Sequence, residues 1–244
     1  MVVDMKEELP KLIEWVKQTV GPSAKVVIGV SGGKDSSVVA ALCVKALGKE
    51  RVYGVLMPQN EQSDIDKSYL LCKHLGIDYT VINIGPGVEA LTKEVEAKTN
   101  LPLNLGYTSN TPARIRMTTL YGVGALLGNC RVVNTCNLSE DYVGYSTKFG
   151  DAAGDFSPLS RFTAGEVVEL GDILGLPYEL SHKVPTDGMC GQTDEDRFGF
   201  TYKELDDYLR GRAMPSQETV DKIERMHRAS LHKLLPMPVY PFGE

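Results

Sequence analysis

The sequence predicts an α/β fold, a doubly wound parallel sheet with helices on both faces. Short apolar runs rich in valine and isoleucine alternate with longer runs of helical periodicity through the first half of the chain. This alternation indicates βαβ units, whose strands lie parallel because each crossover returns to the same edge of the sheet. Glycine-rich and polar segments follow several of the apolar runs. In such sheets ligands bind beyond the carboxyl ends of the strands, so these segments are the candidate site.

The elements follow in chain order. Residues 1–20 are expected to form an amphipathic helix. The predicted strands are Val26–Val30, Val52–Met57, Tyr79–Ile84 and Arg131–Asn134, and the predicted helices between them are Asp35–Leu47, Asp64–Leu75, Val88–Thr99 and Pro112–Leu127. In the second half, a capping box at Thr163 and Glu166 predicts a helix that ends near Gly175. Further helices are expected at Tyr202–Leu209 and Ser216–Leu231.

No linker or internal repeat divides the 244 residues, so we expect one domain over residues 1–244, with a helical C-terminal part. The segment from 183 to 196 contains Pro185, Gly188 and Gly191, and it is predicted to be a mobile loop.

The net charge, the apolar runs and the cysteines of the chain argue against several classes of function. A net charge of −6 argues against broad nucleic-acid binding, which uses a basic face. No apolar run approaches the ~20 residues that span a bilayer, so no membrane partner is expected. The five cysteines show no metal-ligand spacing and no secretory signal precedes them, which predicts reduced thiols in a cytoplasmic protein. We expect Cys43, Cys72, Cys136 and Cys190 to be packing residues.

The most informative motif is Ser31-Gly32-Gly33-Lys34-Asp35-Ser36-Ser37, between a predicted strand and a predicted helix. The backbone N–H groups of such a turn, with the free amides of the first helical turn, bind phosphate. Asp35 adds a carboxylate, which beside phosphate is suited to Mg²⁺. The alternative is an ordinary turn with a helix cap, but the order of strand, motif and helix favours phosphate binding. The loop resembles the pyrophosphate-binding signature of the N-type ATP pyrophosphatases, whose Rossmann-like fold is that of the adenine nucleotide alpha hydrolases.

Three further blocks make the resemblance more specific. They are Asn110-Thr-Pro-Ala-Arg-Ile-Arg-Met, Asn134-Thr-Cys-Asn-Leu-Ser-Glu, and Gly144-Tyr-Ser-Thr-Lys-Phe-Gly-Asp-Ala-Ala-Gly-Asp. Together with residues 183–186, 193–196 and 232–233, they resemble NAD synthetase over nearly the whole chain. The resemblance is to the compact, ammonia-dependent type without an amidase domain.

This resemblance implies an activity and a set of site residues. The family adenylates the nicotinate carboxylate of deamido-NAD with ATP, releases pyrophosphate, and lets ammonia displace AMP to form the amide. By resemblance, ATP binds to Gly29, Val30, Ser31, Gly32, Gly33, Lys34, Asp35, Ser36, Thr135 and Thr186. Deamido-NAD binds to Arg114, Lys148, Asp155, His232 and Lys233. Asp35 and Glu140 are the expected catalytic residues and the Mg²⁺ ligands, and a homodimer is expected.

Individual residues also have simpler interpretations. Glu140 is typical of an exposed carboxylate in a first helical turn, and His232-Lys233 of a helix end, where cations are favoured. Arg114 and Arg116 do not share a helix face, so at most one should point into the site, and we expect it to be Arg114. Ala164 stands where many family members have a lysine near ATP, so Arg161 or Lys183 is expected to supply that charge.

Three alternative functions remain open at this point. One is another pyrophosphatase-type ligase, such as a tRNA-modifying enzyme. Another is a synthetase that receives ammonia from a separate glutaminase. The third is a non-catalytic nucleotide-binding subunit.

Overall fold

A computed structural model describes residues 4–183 and 193–241. In these ranges the fold is organised around one parallel sheet, whose strands are β1 (Lys25–Gly29), β2 (Val52–Leu56), β3 (Asp78–Val81) and β4 (Cys130–Val132). The strand order is β3-β2-β1-β4, and every pairing is parallel. The predicted fold class is therefore confirmed, with strand ends that differ from the expected ones by at most three residues.

The strand order reverses direction at β1. The chain moves outward from β1 through β2 to β3, and it then returns to place β4 on the other side of β1. In open α/β sheets such a switch point lies beside a crevice at the carboxyl ends of the two strands, where ligands bind.

Helices cover both faces of the sheet. In the first half they are α1 (Met5–Val20), α2 (Lys34–Leu47), α3 (Ile65–Leu75), α4 (Gly85–Thr99) and α5 (Leu105–Leu127), with a short 3-10 turn at Lys49–Arg51. Successive side chains of β1 point to opposite faces of the sheet, so they pack in two different hydrophobic cores. Val26 and Ile28 pack in one core with Leu42 of α2. Val27 packs in the other core with Leu120 of α5.

Helix α5 begins seven residues before the predicted start at Pro112. The side chain of Asn104 accepts a hydrogen bond from the backbone N–H of Tyr107 at 2.9 Å and caps the helix. Pro112 therefore lies inside the helix, not at its first position. The predicted start at Pro112 is wrong because Asn104 caps the helix earlier and the proline is accommodated inside it.

The second half adds a helical layer, which consists of α6 (Leu138–Val143), α7 (Ala164–Ile173), α8 (Tyr178–Ser181), α9 (Asp194–Phe198), α10 (Tyr202–Arg210) and α11 (Gln217–Leu234). Val143, Phe198, Leu205 and Ile223 form its core. Helix α9 corrects the loop predicted up to residue 196. Thr193 and Asp196 form a capping box that starts a helix there.

None of the helices in the described ranges combines the length and the hydropathy that crossing a bilayer requires.

Candidate active site

The first wall of the crevice is the loop between β1 and α2. Gly32 has φ +73°, and a Cβ there would lie 2.8 Å from the Cβ of Lys67, so only glycine fits this turn. The backbone N–H of Gly33 donates to Ser31 Oγ at 3.3 Å, and the hydroxyls of Ser31 and Ser36 lie 3.0 Å apart. The first-turn amides of α2 have no acceptor within the helix, and they face the same opening as an anion-binding terminus.

The second wall follows β4, where Asn137 caps the short helix α6. Its side-chain oxygen accepts a hydrogen bond from the backbone N–H of Glu140 at 3.1 Å. Its amide nitrogen donates to Oδ1 of Asp35 at 2.8 Å. The fully buried Asn137 therefore joins the carboxylate of Asp35 to the backbone of Glu140, the other residue that was predicted as a metal ligand.

A pocket of about 130 Å³ lies between these walls. Its lining residues are Ser31, Gly33, Asp35, Ser36, Thr135, Cys136, Glu140 and Asp151. Six of these were predicted to bind ATP or metal, and the fold brings them together from loops about 100 residues apart. Cys136 and Asp151 were not predicted to line it.

Three charged side chains lie close together at this pocket. The ammonium of Lys34 lies 2.7 Å from Asp35 Oδ2 and 3.9 Å from Glu140 Oε1. Burial and the nearby Asp35 carboxylate raise the pKa of Glu140 well above its usual value. Burial alone would lower the pKa of Lys34, but Asp35 and Glu140 outweigh it and raise the pKa. The two carboxylates therefore strongly favour the charged form of the Lys34 ammonium.

The carboxylates of Asp35 and Glu140 are suited to binding a Mg²⁺ ion that is held together with a nucleotide. Within residues 4–183 and 193–241, no group of three or more histidine, cysteine, aspartate or glutamate side chains forms a self-sufficient metal cage. Mg²⁺ in nucleotide sites is held by one or two carboxylates together with substrate phosphates and water. Asp35 and Glu140 supply such a pair beside the phosphate-binding loop, so the residues present fit a metal that arrives with ATP.

Tyr202 and Asp194 form a polar group next to Lys34 that sequence reasoning missed. The Tyr202 hydroxyl donates to Asp194 Oδ2 at 3.0 Å, and the ring of Tyr202 lies 5.7 Å from the Lys34 ammonium. Burial, followed by the charges of Glu140 and Asp194, raises the pKa of Tyr202, so its hydroxyl stays protonated. Its position is set by tertiary packing, and no local pattern marked it.

Four of the residues expected to bind deamido-NAD lie together. Arg114 Nε donates to the backbone oxygen of Lys148 at 3.2 Å, and Lys148 Nζ donates to the backbone oxygen of His232. Lys233 Nζ donates to the carbonyl oxygens of Gly144 and Ser146 at 2.7 and 2.8 Å. Hydrogen bonds therefore connect the end of α11 to the loop that contains Lys148.

Asp155 lies near these residues but has different contacts. Its Oδ2 accepts a hydrogen bond from the backbone N–H of Val132 at 2.7 Å, and Tyr121 donates to its Oδ1 at 3.3 Å. Asp155 and Lys233 line a second pocket of about 250 Å³, together with Asn134, Asp141, Ala152, Gly154, Phe156, Ser157, Ser160 and Leu234. Asn134 adjoins Thr135 of the first pocket, so the two openings are neighbours along the loop after β4.

The two arginines of α5 point to different partners. Arg116 Nε donates to the backbone oxygen of Met57 at 3.1 Å, whereas Arg114 contacts the loop of Lys148. This divergence agrees with the expectation that the two arginines do not share a helix face. Arg114 is exposed beside the other candidate substrate residues.

The other residues singled out from the sequence lie in different surroundings. Thr186 and Cys190 lie outside the described residues. Ala164 is buried in the apolar cluster of the second half. Lys183 forms an ion pair with Asp64. Cys43, Cys72 and Cys136 are buried, and burial raises the pKa of all three thiols, which agrees with a packing role.

Comparison with known proteins settles the family. A model of the family described as NAD synthase matches residues 8–237. The chain belongs to the NAD synthase family. The NH(3)-dependent NAD(+) synthetase of Pyrococcus furiosus is 36% identical over 95% of this chain and 93% of its own length. That of Methanococcus aeolicus is 44% identical over 83% and 82% of the two chains.

Solved structures of family members have the same fold. The structure of NMN synthetase from Francisella tularensis has a TM-score of 0.89 and 35% identity, covering 99% of this chain and 100% of that one. The NH3-dependent NAD synthetase from Campylobacter jejuni has a TM-score of 0.78 and 28% identity, covering 98% and 100%. The resemblance inferred from the sequence motifs is therefore confirmed at the level of family and fold.

Proposed function

We propose that this protein catalyses the ATP-dependent amidation of deamido-NAD by ammonia, giving NAD, AMP and pyrophosphate. The observation that carries the proposal is the bond from Asn137 to Asp35. Because Asn137 also accepts the backbone N–H of Glu140, this bond joins the phosphate-binding loop to the loop that carries a second carboxylate. A site for phosphates with paired carboxylates suits ATP with Mg²⁺. Full-length relatives named NH(3)-dependent NAD(+) synthetase support the amide product.

The first step activates a poor acyl donor. A carboxylate oxygen of nicotinate attacks the α-phosphorus of ATP, the bond from that phosphorus to the bridging oxygen breaks, and pyrophosphate leaves. The chain's part is to place the phosphates, through the amides of Gly33 and the first turn of α2. Asp35 and Glu140 would hold Mg²⁺, which when bound offsets the charge that develops on the phosphates.

The second step forms the amide. The nitrogen of ammonia attacks the activated carbonyl carbon, the bond to AMP breaks, and the nitrogen loses a proton. Binding of the nicotinate substrate falls to the group of Arg114, Lys148, His232 and Lys233, whose cations suit a phosphate or carboxylate. Asp155 would accept a hydrogen bond from a ribose hydroxyl.

A second candidate substrate is nicotinate mononucleotide, with NMN as product. The observation that favours it is the likeness to NMN synthetase from Francisella tularensis, whose TM-score of 0.89 exceeds the 0.78 for the NAD synthetase from Campylobacter jejuni. The two substrates share the nicotinate carboxylate and differ in the attached adenylate. The chemistry at Asp35 and Glu140 is the same for both.

We further propose that the protein acts as a cytoplasmic homodimer on free ammonia. Exposed apolar side chains of α5 support an interface, since Leu126 at 90% exposure and the exposed Leu105 and Tyr121 all belong to this helix. A glutaminase that supplies ammonia is the alternative. Sedimentation of the purified protein, and turnover with ammonium compared with glutamine, test these two points.

The deciding experiment incubates the folded protein with ATP, Mg²⁺, ammonium and either deamido-NAD or nicotinate mononucleotide. The proposal expects NAD and AMP in equal amounts from deamido-NAD. Faster formation of NMN would instead select the second candidate. AMP release that requires tRNA would favour a tRNA-modifying ligase, and tight ATP binding without AMP would favour a non-catalytic subunit.

A further inference from the structure

Lys34 lies in the phosphate-binding loop, yet its side chain faces the protein interior. It is 5% exposed, and its ammonium contacts Asp35 Oδ2 at 2.7 Å and lies 3.9 Å from Glu140 Oε1. A lysine that served the phosphates directly would extend toward the opening. This ammonium instead occupies the space between the two carboxylates that suit Mg²⁺.

Two cations compete for that space. A buried carboxylate pair repels itself unless a positive charge lies close by, and Lys34 supplies that charge when no metal is bound. A divalent ion between Asp35 and Glu140 would lie within a few ångströms of the ammonium. The Coulomb repulsion at that distance is strong where water is largely excluded. The lysine must therefore move when the metal binds.

A third carboxylate, that of Asp194, also lies close enough to Lys34 to favour its charge, and one of its oxygens is unused. Asp194 is 5% exposed, and its Oδ1 is buried without a hydrogen-bond partner among the described residues. A buried carboxylate oxygen without a donor is unfavourable and indicates a missing partner. The ring of Tyr202 links the two groups, since it lies 5.7 Å from Lys34 Nζ and its hydroxyl donates to Asp194 Oδ2.

We propose that Lys34 is a built-in counter-ion of the carboxylate pair, which Mg²⁺ displaces, and that Asp194 receives the displaced ammonium. The proposal rests on the proposed function only in that the Asp35–Glu140 pair takes Mg²⁺. Asp194 is the first residue of α9, so metal binding at one wall of the pocket changes a contact at the start of this helix. The lysine thereby couples the metal site to the helical layer of the second half.

Metal binding without nucleotide tests the proposal independently of turnover. Mn²⁺ replaces Mg²⁺ as the probe, and free Mn²⁺ is measured by electron paramagnetic resonance during titration of the nucleotide-free protein. Removing the competing cation in Lys34→Met should tighten Mn²⁺ binding at least tenfold. Asp194→Asn should weaken it three- to tenfold in the otherwise wild-type protein and leave it unchanged in the Lys34→Met background.

The matched control is Lys203→Met, which removes an exposed lysine that pairs with Asp207 on α10. It should bind Mn²⁺ like the wild type. Equal or weaker binding by Lys34→Met would overturn the proposal, and so would a failure of every variant to bind Mn²⁺. If Lys34→Met does not fold, Asp194→Asn decides alone, and unchanged affinity there contradicts the displacement. Wild-type turnover with unchanged Mn²⁺ affinities would reject this proposal and leave the proposed function intact.

Discussion

Asn137 donates a hydrogen bond to Asp35 at 2.8 Å across a sequence separation of 102 residues. The same side chain caps α6 by accepting the backbone N–H of Glu140 at 3.1 Å. One buried amide therefore joins the carboxylate of Asp35 to the backbone of Glu140 on a different loop. A carboxylate whose orientation is set in this way can meet a metal ion without first being ordered.

Replacing Asn137 should separate its two contributions. Asn137→Ala loses the cap and the bond to Asp35, and we expect a loss of about 1–2 kcal/mol in stability and about 10- to 100-fold in kcat. Asn137→Ser retains a capping hydroxyl, so it should recover most of the stability and little of the activity. Urea unfolding and steady-state kinetics measure the two effects. Full activity in either variant would show that the bond to Asp35 does not orient the site.

Asp35 should be required for turnover and dispensable for folding. In Asp35→Asn the shape is kept while the negative charge is lost, so metal and phosphates are held less well. We expect kcat to fall by roughly 100-fold or more, with an unchanged circular dichroism spectrum. Asp66→Asn, at an exposed aspartate of α3, is the matched control and should retain wild-type kinetics. Near-normal activity of Asp35→Asn would refute its assignment as a metal ligand.

Much of the fold could be predicted because it is encoded locally. The valine-rich strands and the glycine turn at Ser31 carry their signal within a few residues, whereas the strand order and its switch point are seen only in the folded chain. The start of α5 was missed although Asn104 marks it, because Pro112 offered a stronger apparent signal. Helix α6 was not among the predicted elements, although Glu140 fits a first helical turn and Asn137 followed by Glu140 is a capping pattern.

The arrangement of the site could be predicted less well. The motifs marked Asp35 and Glu140 separately, but only the folded chain brings them together through Asn137. The inward direction of Lys34 depends on Glu140, Tyr202 and Asp194, which lie far away in sequence. Residue types at a motif indicate the chemistry, whereas tertiary packing decides where each charge points.

A buried ion pair should stabilise the second half of the chain. Glu166 caps α7 and forms ion pairs with Arg210 and Arg212 at 2.5 and 3.2 Å. Glu166→Gln removes the negative charge that both arginines contact, and we expect a loss of about 2 kcal/mol in the free energy of unfolding at pH 7. Urea unfolding measures it, with the exposed Glu169→Gln as control. Equal midpoints for wild type and Glu166→Gln would contradict the assignment.

The effect of Glu166 should depend on pH in a defined direction. Burial opposes the charge of Glu166, but its bonds with Arg210 outweigh this and lower its pKa below the ordinary value of 4.5. The folded state therefore binds the proton less tightly than the unfolded state. The stabilisation is complete above the unfolded pKa and is lost as the pH falls through the lower folded pKa. The difference between wild type and Glu166→Gln should shrink below about pH 4.5, and a difference that grows there would contradict the ion pair.

Three thiols should be unreactive in the folded protein. Burial raises the pKa of Cys43 to about 12 and that of Cys72 to about 11, and it also raises the pKa of Cys136. Little thiolate exists at pH 8, so a thiol reagent should modify these residues only after unfolding in guanidinium. Mass spectrometry of labelled peptides identifies the modified sites. Rapid labelling of Cys136 in the folded protein would show that the pocket admits reagents to its sulfur.

The central claim is that paired carboxylates beside a phosphate loop activate a nicotinate carboxylate for attack by ammonia. Its most direct test is product analysis by mass spectrometry after incubation with ATP, Mg²⁺, ¹⁵N-ammonium and deamido-NAD. The account predicts one ¹⁵N in the nicotinamide amide of NAD and one AMP per NAD formed, both lost in Asp35→Asn. ADP in place of AMP, or no labelled amide from the folded wild-type protein with either nicotinate substrate, would contradict it.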